Sequence, residues 1–95
     1  MRLLIVEDEK KLCDTVAKSL YGAGYEVDTC YDGDEALDYI FAEKYDLIVL
    51  DLNLPGTDGM DVLRELRQRD EETKVLVLSA RSQIADKVEG LDAGA

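Results

Sequence analysis

The chain has 95 residues, 46% of them hydrophobic, and its 11 basic and 22 acidic side chains give a formal net charge of −11. That length sets one domain with a thin core, burying roughly 60–70% of the surface its unfolded form exposes. The acidic balance repels nucleic-acid phosphates and anionic membranes, the lack of histidine excludes histidine-based catalysis and zinc binding, and no apolar run reaches the ~20 residues that span a bilayer.

Residues 2–6, RLLIV, read as a buried strand that runs straight into the acidic EDE at 7–9. MRLLIV is too short for the apolar region of a signal peptide, so a cytoplasmic protein is expected. Over 11–22, Leu12, Val16 and Leu20 fall at i, i+4 and i+8 and predict a helix, which Gly22 or Gly24 closes through a left-handed residue. YEVDTC, 25–30, alternates in the manner of an edge strand, and Asp32-Gly33 makes a turn. A helix follows from Asp34 to about Lys44 with Ala36, Leu37, Ile40 and Phe41 on its stripe. DLIVL, 46–50, is the next strand; Asp58 is placed to cap a helix whose inner face is Val62, Leu63 and Leu66. KVLVLS, 74–79, is a fourth strand, and Ile84, Val88 and Leu91 mark a fourth helix ending near Gly94. Cys13 and Cys30 lack CxxC spacing and fit small, reduced core residues.

Strands that alternate with helices of this length pair in parallel through right-handed crossovers, with helices on both faces of the sheet. In such sheets the functional crevice lies beyond the carboxyl ends of the strands. Glu7, Asp8 and Glu9 follow the first strand, Asp51 and Asn53 the third, Ser79 and Ala80 the fourth. If strands one and three are neighbours, at least two carboxylates share a small volume, which raises their pKa values unless a cation intervenes. Oxygen ligands of this kind suit Mg²⁺. A carboxylate oxygen of Asp51 beside that ion has the chemistry to attack a phosphoryl group, and Ser79 could donate its hydroxyl to a phosphoryl oxygen.

Each group has a plainer role on its own. Glu7, Asp8 and Glu9 could form the solvated first turn of a helix, Asp51 could be a turn residue, and Ser79 a helix N-cap. DLNLPG also starts like a calcium loop, but Pro55 stands where a ligand is needed and Val62 at the bidentate glutamate position. The weight lies in their joint occurrence at three strand ends of one sheet.

LLIVEDE, YDLIVLDLNLPGTDG and VLVLSAR, in that order, resemble the receiver domain of two-component response regulators. ADKVEGLDAGA resembles the OmpR/PhoB-type winged-helix subfamily, and the resemblance covers the whole chain. It implies a flavodoxin-like doubly wound α/β fold with strand order 2-1-3-4, the fifth strand and fifth helix of the family being missing. It further implies that Asp51 accepts a phosphoryl group from a sensor histidine kinase and that Asp8 and Asp51 bind Mg²⁺ through their side chains. Asn53 would bind the ion through its backbone carbonyl and Glu7 through water. Ser79 would match the switch hydroxyl, with the Ala80 amide nearby, and Pro55 and Gly59 would shape the loop over the site.

On this reading residues 1–95 are a truncated receiver domain without a DNA-binding effector domain and without the family's phosphoryl-contacting lysine. The fourth strand then forms an apolar edge, predicting self-association through edge pairing or exchange of elements between copies. Three alternatives differ in kind. A Mg²⁺-dependent phosphohydrolase would need a second aspartate where Asn53 stands. A flavin-binding domain would need Ser, Thr and Gly in place of EDEKK. An interaction scaffold would keep the fold and lose the chemistry.

Overall fold

The computed structural model describes residues 1–70 and 72–78. The elements run β1 (Arg2–Val6), α1 (Lys10–Gly22), β2 (Glu26–Cys30), α2 (Gly33–Ala42), β3 (Leu47–Asp51), α3 (Gly59–Arg69) and β4 (Lys74–Leu78). All strand pairs are parallel, as expected from the alternation of elements, and the order is β2-β1-β3-β4, as the family resemblance implied. The helix expected around Ile84, Val88 and Leu91 lies outside the described residues. No helix among the described residues is long and apolar enough to cross a membrane.

Near-continuous apolar strands are needed because both faces of the sheet are packed. Leu4, Val6, Ile48 and Leu50 point to one face and form a core with Val62, Leu63 and Leu66 of α3, Ala36 of α2 and Cys30. Ile5 and Val49 point to the other face, where Cys13, Val16, Ala17 and Leu20 of α1 cover them. Each fully buried Leu, Ile or Val contributes about 1.5–3 kcal/mol of transfer free energy. Both cysteines are free and buried, and burial raises their thiols, Cys13 to about 11 and Cys30 to about 12, which leaves them unreactive.

Three local expectations are corrected. The inward stripe of α1 runs through Cys13, not Leu12, which is 46% exposed. The strand-to-helix crossover sets the helix's rotation, and it seats the Cys13 sulfur 3.9 Å from the Ile5 carbonyl. Phe41 leaves the α2 stripe and lies 45% exposed beneath the Arg69 guanidinium, 4.0 Å from its ring centre. Asp58 stands at the N-cap of α3 but its side chain makes no capping bond. At α2 the cap does form: Asp32 accepts from the Glu35 amide at 2.7 Å. The turn after α1 uses Gly24, at φ +99°, rather than Gly22.

The amino-terminal end of the sheet is fastened by polar groups. Arg2 pairs with Asp28 at 3.2 Å and Glu43 at 3.0 Å, while its amide donates to Asp46 at 2.7 Å. The buried Tyr45 hydroxyl donates to Asp28 at 2.6 Å. Beyond α3, the Asp70 carboxylate accepts from the Thr73 hydroxyl and from the Glu72 amide, and these bonds hold its pKa down to about 2.

Two measurements follow from this packing. A Cβ on Gly59 would sit 2.5 Å from both the Asp51 carbonyl oxygen and the Leu52 Cα, backbone atoms that cannot swing aside. Gly59→Ala is therefore expected to lower unfolding free energy in urea by about 1–3 kcal/mol, whereas Gly22→Ala, in open space at a helix end, should raise it by up to about 1 kcal/mol. The folded pKa of Asp70 lies below its unfolded value of 3.8, so its contribution is complete above pH ~4 and fades as pH falls toward 2. Asp70→Asn should show a shallower loss of stability over that interval, with little change in the slope above pH 5.

Candidate functional site

The register between β1 and β3 sets Val6 beside Leu50, so the residues that follow emerge at one edge. Asp51 is the last residue of β3, which runs one position beyond the end expected from sequence, and it is buried. Glu7 is held at the end of β1 by its amide, which donates to the Cys30 carbonyl at 3.1 Å. Glu7, Asp8 and Asp51 each bring a carboxylate oxygen into a group whose members lie within 4.8 Å of one another.

Three carboxylates so close disfavour full ionisation. Burial first, then a hydrogen bond with Asp51 and the charges of Asp51 and Asp8, raise the Glu7 carboxyl to about 7. Oxygen-only donors at this spacing fit a hard divalent cation, whose charge would relieve the crowding. The donor set therefore fits Mg²⁺, with Glu7, Asp8 and Asp51 as the residues able to hold it.

The loop from Leu52 to Asp58 forms the floor beside Asp51. The Asn53 amide donates to one Asp51 carboxylate oxygen at 3.0 Å, which fixes the orientation of that group. The Leu52 amide reaches the Leu78 carbonyl at 3.2 Å, and the Gly59 amide returns to the Leu52 carbonyl at 3.2 Å. The Pro55 carbonyl accepts from the Gly33 amide at 3.1 Å, and Gly56 takes φ +72°, a conformation L side chains rarely adopt.

Of the residues singled out from sequence, Glu7, Asp8 and Asp51 converge, Asn53 touches Asp51 through its amide, Pro55 lies in the adjoining loop and Gly59 opens α3. Ser79 and Ala80 lie outside the described residues. Two polar residues of this region escaped the sequence reading: the Thr57 hydroxyl donates to the Asp34 carboxylate at 2.5 Å and ties the loop to α2. The only signal in the sequence was the pair of turn glycines, Gly33 and Gly56, which gave no hint that the two turns meet.

Comparison with known proteins agrees with this arrangement. The chain is 47% identical over 95 residues to the transcriptional regulatory protein DltR of Streptococcus agalactiae, all of this chain matching 42% of that protein's length. It thus spans less than half the length of that relative. A response regulator protein from Burkholderia pseudomallei, with a phosphorylated aspartic acid, calcium ion and citrate, superposes with a TM-score of 0.92 at 31% identity, over 99% of this chain and 55% of that one. The response regulator protein TrrA of Thermotoga maritima, in complex with Mg²⁺ and BeF, gives a TM-score of 0.86 at 34% identity, over 95% of this chain and 78% of that one. The response regulator receiver domain model matches residues 3–95. By that match, and by the parallel order that sets an acidic edge at the ends of β1 and β3, the chain belongs to the response regulator receiver domain family.

Proposed function

We propose that the chain is a signalling module that accepts a phosphoryl group on Asp51 from a phosphohistidine of a sensor histidine kinase, with Mg²⁺ at the same edge. The observation that carries this reading is the convergence of Glu7, Asp8 and Asp51 at the carboxyl end of the sheet. The phosphorylated aspartic acid of the Burkholderia relative and the Mg²⁺ and BeF of the Thermotoga relative support it.

In this reading an Asp51 carboxylate oxygen attacks phosphorus, and the bond from phosphorus to the imidazole nitrogen breaks with its electron pair left on that nitrogen. Bound Mg²⁺ would supply positive charge against the incoming phosphoryl oxygens. Asp8 and Asp51 would hold the ion through their side chains, Asn53 through its backbone carbonyl, and Glu7 through water. The Asn53 amide keeps one Asp51 oxygen engaged and so presents the other. Ser79 and Ala80 would contact the phosphoryl group.

The chain acts as an acceptor rather than an enzyme that turns over a substrate, working in the cytoplasm. Its place is the receiver part of a transcriptional regulator of the DltR kind, transcription being controlled by the larger protein. We also propose self-association of this chain through β4, whose Leu76 and Leu78 are 52% and 45% exposed while Val75 and Val77 pack on the core.

Treatment with acetyl phosphate and Mg²⁺ should add one HPO₃ to the intact mass, and Asp51→Asn should abolish the gain. A gain that survives Asp51→Asn would sink the assignment of the acceptor. Sedimentation at rising concentration should show dimers or larger species that Leu76→Lys disperses; a monomer throughout would refute the pairing.

A further inference from the structure

We propose that Thr57 and Asp34 are positioning residues for the Asp51 site, forming a clamp between α2 and the loop after β3; this rests on the function proposed above. Asp51 takes its orientation from the Asn53 amide, so it inherits any movement of the loop that carries Asn53. That loop is tied sideways to α2.

Four features of the contact coincide. The Thr57 hydroxyl donates to Asp34 Oδ1 at 2.5 Å, across 23 positions of sequence. The Gly33 amide donates to the Pro55 carbonyl at 3.1 Å. Gly33 lies so near the loop that a Cβ would fall 1.7 Å from the Thr57 carbonyl oxygen. At Gly56 a Cβ would meet Asp34 Oδ2 at 2.8 Å, so the carboxylate rests against the turn itself.

The bond between Thr57 and Asp34 is exposed to solvent, and an exposed bond of this kind adds little to global stability. Its effect is local. Outer groups that orient metal-ligating side chains commonly change metal affinity tenfold or more when removed. Asp34 also sits in the first turn of α2, where a negative charge is favourable in its own right. The test must separate charge from hydrogen bonding.

Amide hydrogen exchange at Asn53 in the metal-free 95-residue chain reports the clamp directly, and titration with Mg²⁺ alone, followed by calorimetry, reports its consequence. Thr57→Val is expected to speed Asn53 exchange and weaken Mg²⁺ binding about tenfold while the melting temperature stays near that of the unsubstituted chain. Thr57→Ser, which restores the hydroxyl, should recover both values. Asp34→Ala should copy Thr57→Val, and Asp34→Asn, which keeps the acceptor oxygen without the charge, should stay close to the unsubstituted chain. Exchange and affinity in Thr57→Val within twofold of the unsubstituted chain would overturn the clamp. So would Asp34→Asn behaving like Asp34→Ala, since charge at the helix start would then account for the effect. If the unsubstituted chain binds no Mg²⁺, the metal reading fails by itself and Asn53 exchange still decides the clamp.

Discussion

Two strand ends that repel each other are held together by the apolar register beneath them. Leu4 beside Ile48, Ile5 beside Val49 and Val6 beside Leu50 lock β1 to β3, so that Glu7 and Asp51 have nowhere else to emerge. Burial first, with the hydrogen bond to Asp51 and the neighbouring carboxylate charges adding to it, pushes the Glu7 carboxyl up to about 7. Burial of those six side chains, at about 1.5–3 kcal/mol each, outweighs the few kcal/mol that crowded carboxylates cost at a solvent-facing edge. A shift of the register by one residue would turn each strand's core set to the opposite face, which the packing on both sides forbids.

The two ends of the sheet thus divide stability from chemistry. At the amino ends, opposite charges are matched: Arg2 with Asp28 and Glu43, and Lys44 with Asp70 at 3.7 Å. At the carboxyl ends like charges face one another. Sites that bind cations or carry out transfer chemistry are built by leaving such charge uncompensated within a rigid frame. The frame here comes from the parallel sheet, from α1 on one face, and from α2 and α3 on the other.

Most of the fold was legible in residue order. Five-residue apolar runs separated by helical spacing are compatible with few arrangements, and the strand order followed from them together with the family resemblance. That at least two carboxylates share this edge was legible for the same reason, because each ends or follows an apolar run; that Glu7 and Asp8 are the ones that join Asp51 came with the family resemblance. Helix rotation was less so. Leu12 and Cys13 are neighbours in sequence and both apolar, and only the seat against Ile5 and Val49 selects the smaller cysteine for the interior. Phe41 was read as core, yet a cation stacked on its ring keeps it half in water.

The sequence by itself determined the alternation of elements, the apolar character of the central strands and the acidic residues at the strand ends, since these depend on local spacing and side-chain polarity. Tertiary structure alone decided that Thr57 meets Asp34, that Gly33 lies against the Thr57 carbonyl, and that Asn53 aims its amide at Asp51. Such contacts join segments remote along the chain through single hydrogen bonds and close backbone approaches. Neither leaves a period in the sequence, so they exist only once the sheet has fixed where each loop begins.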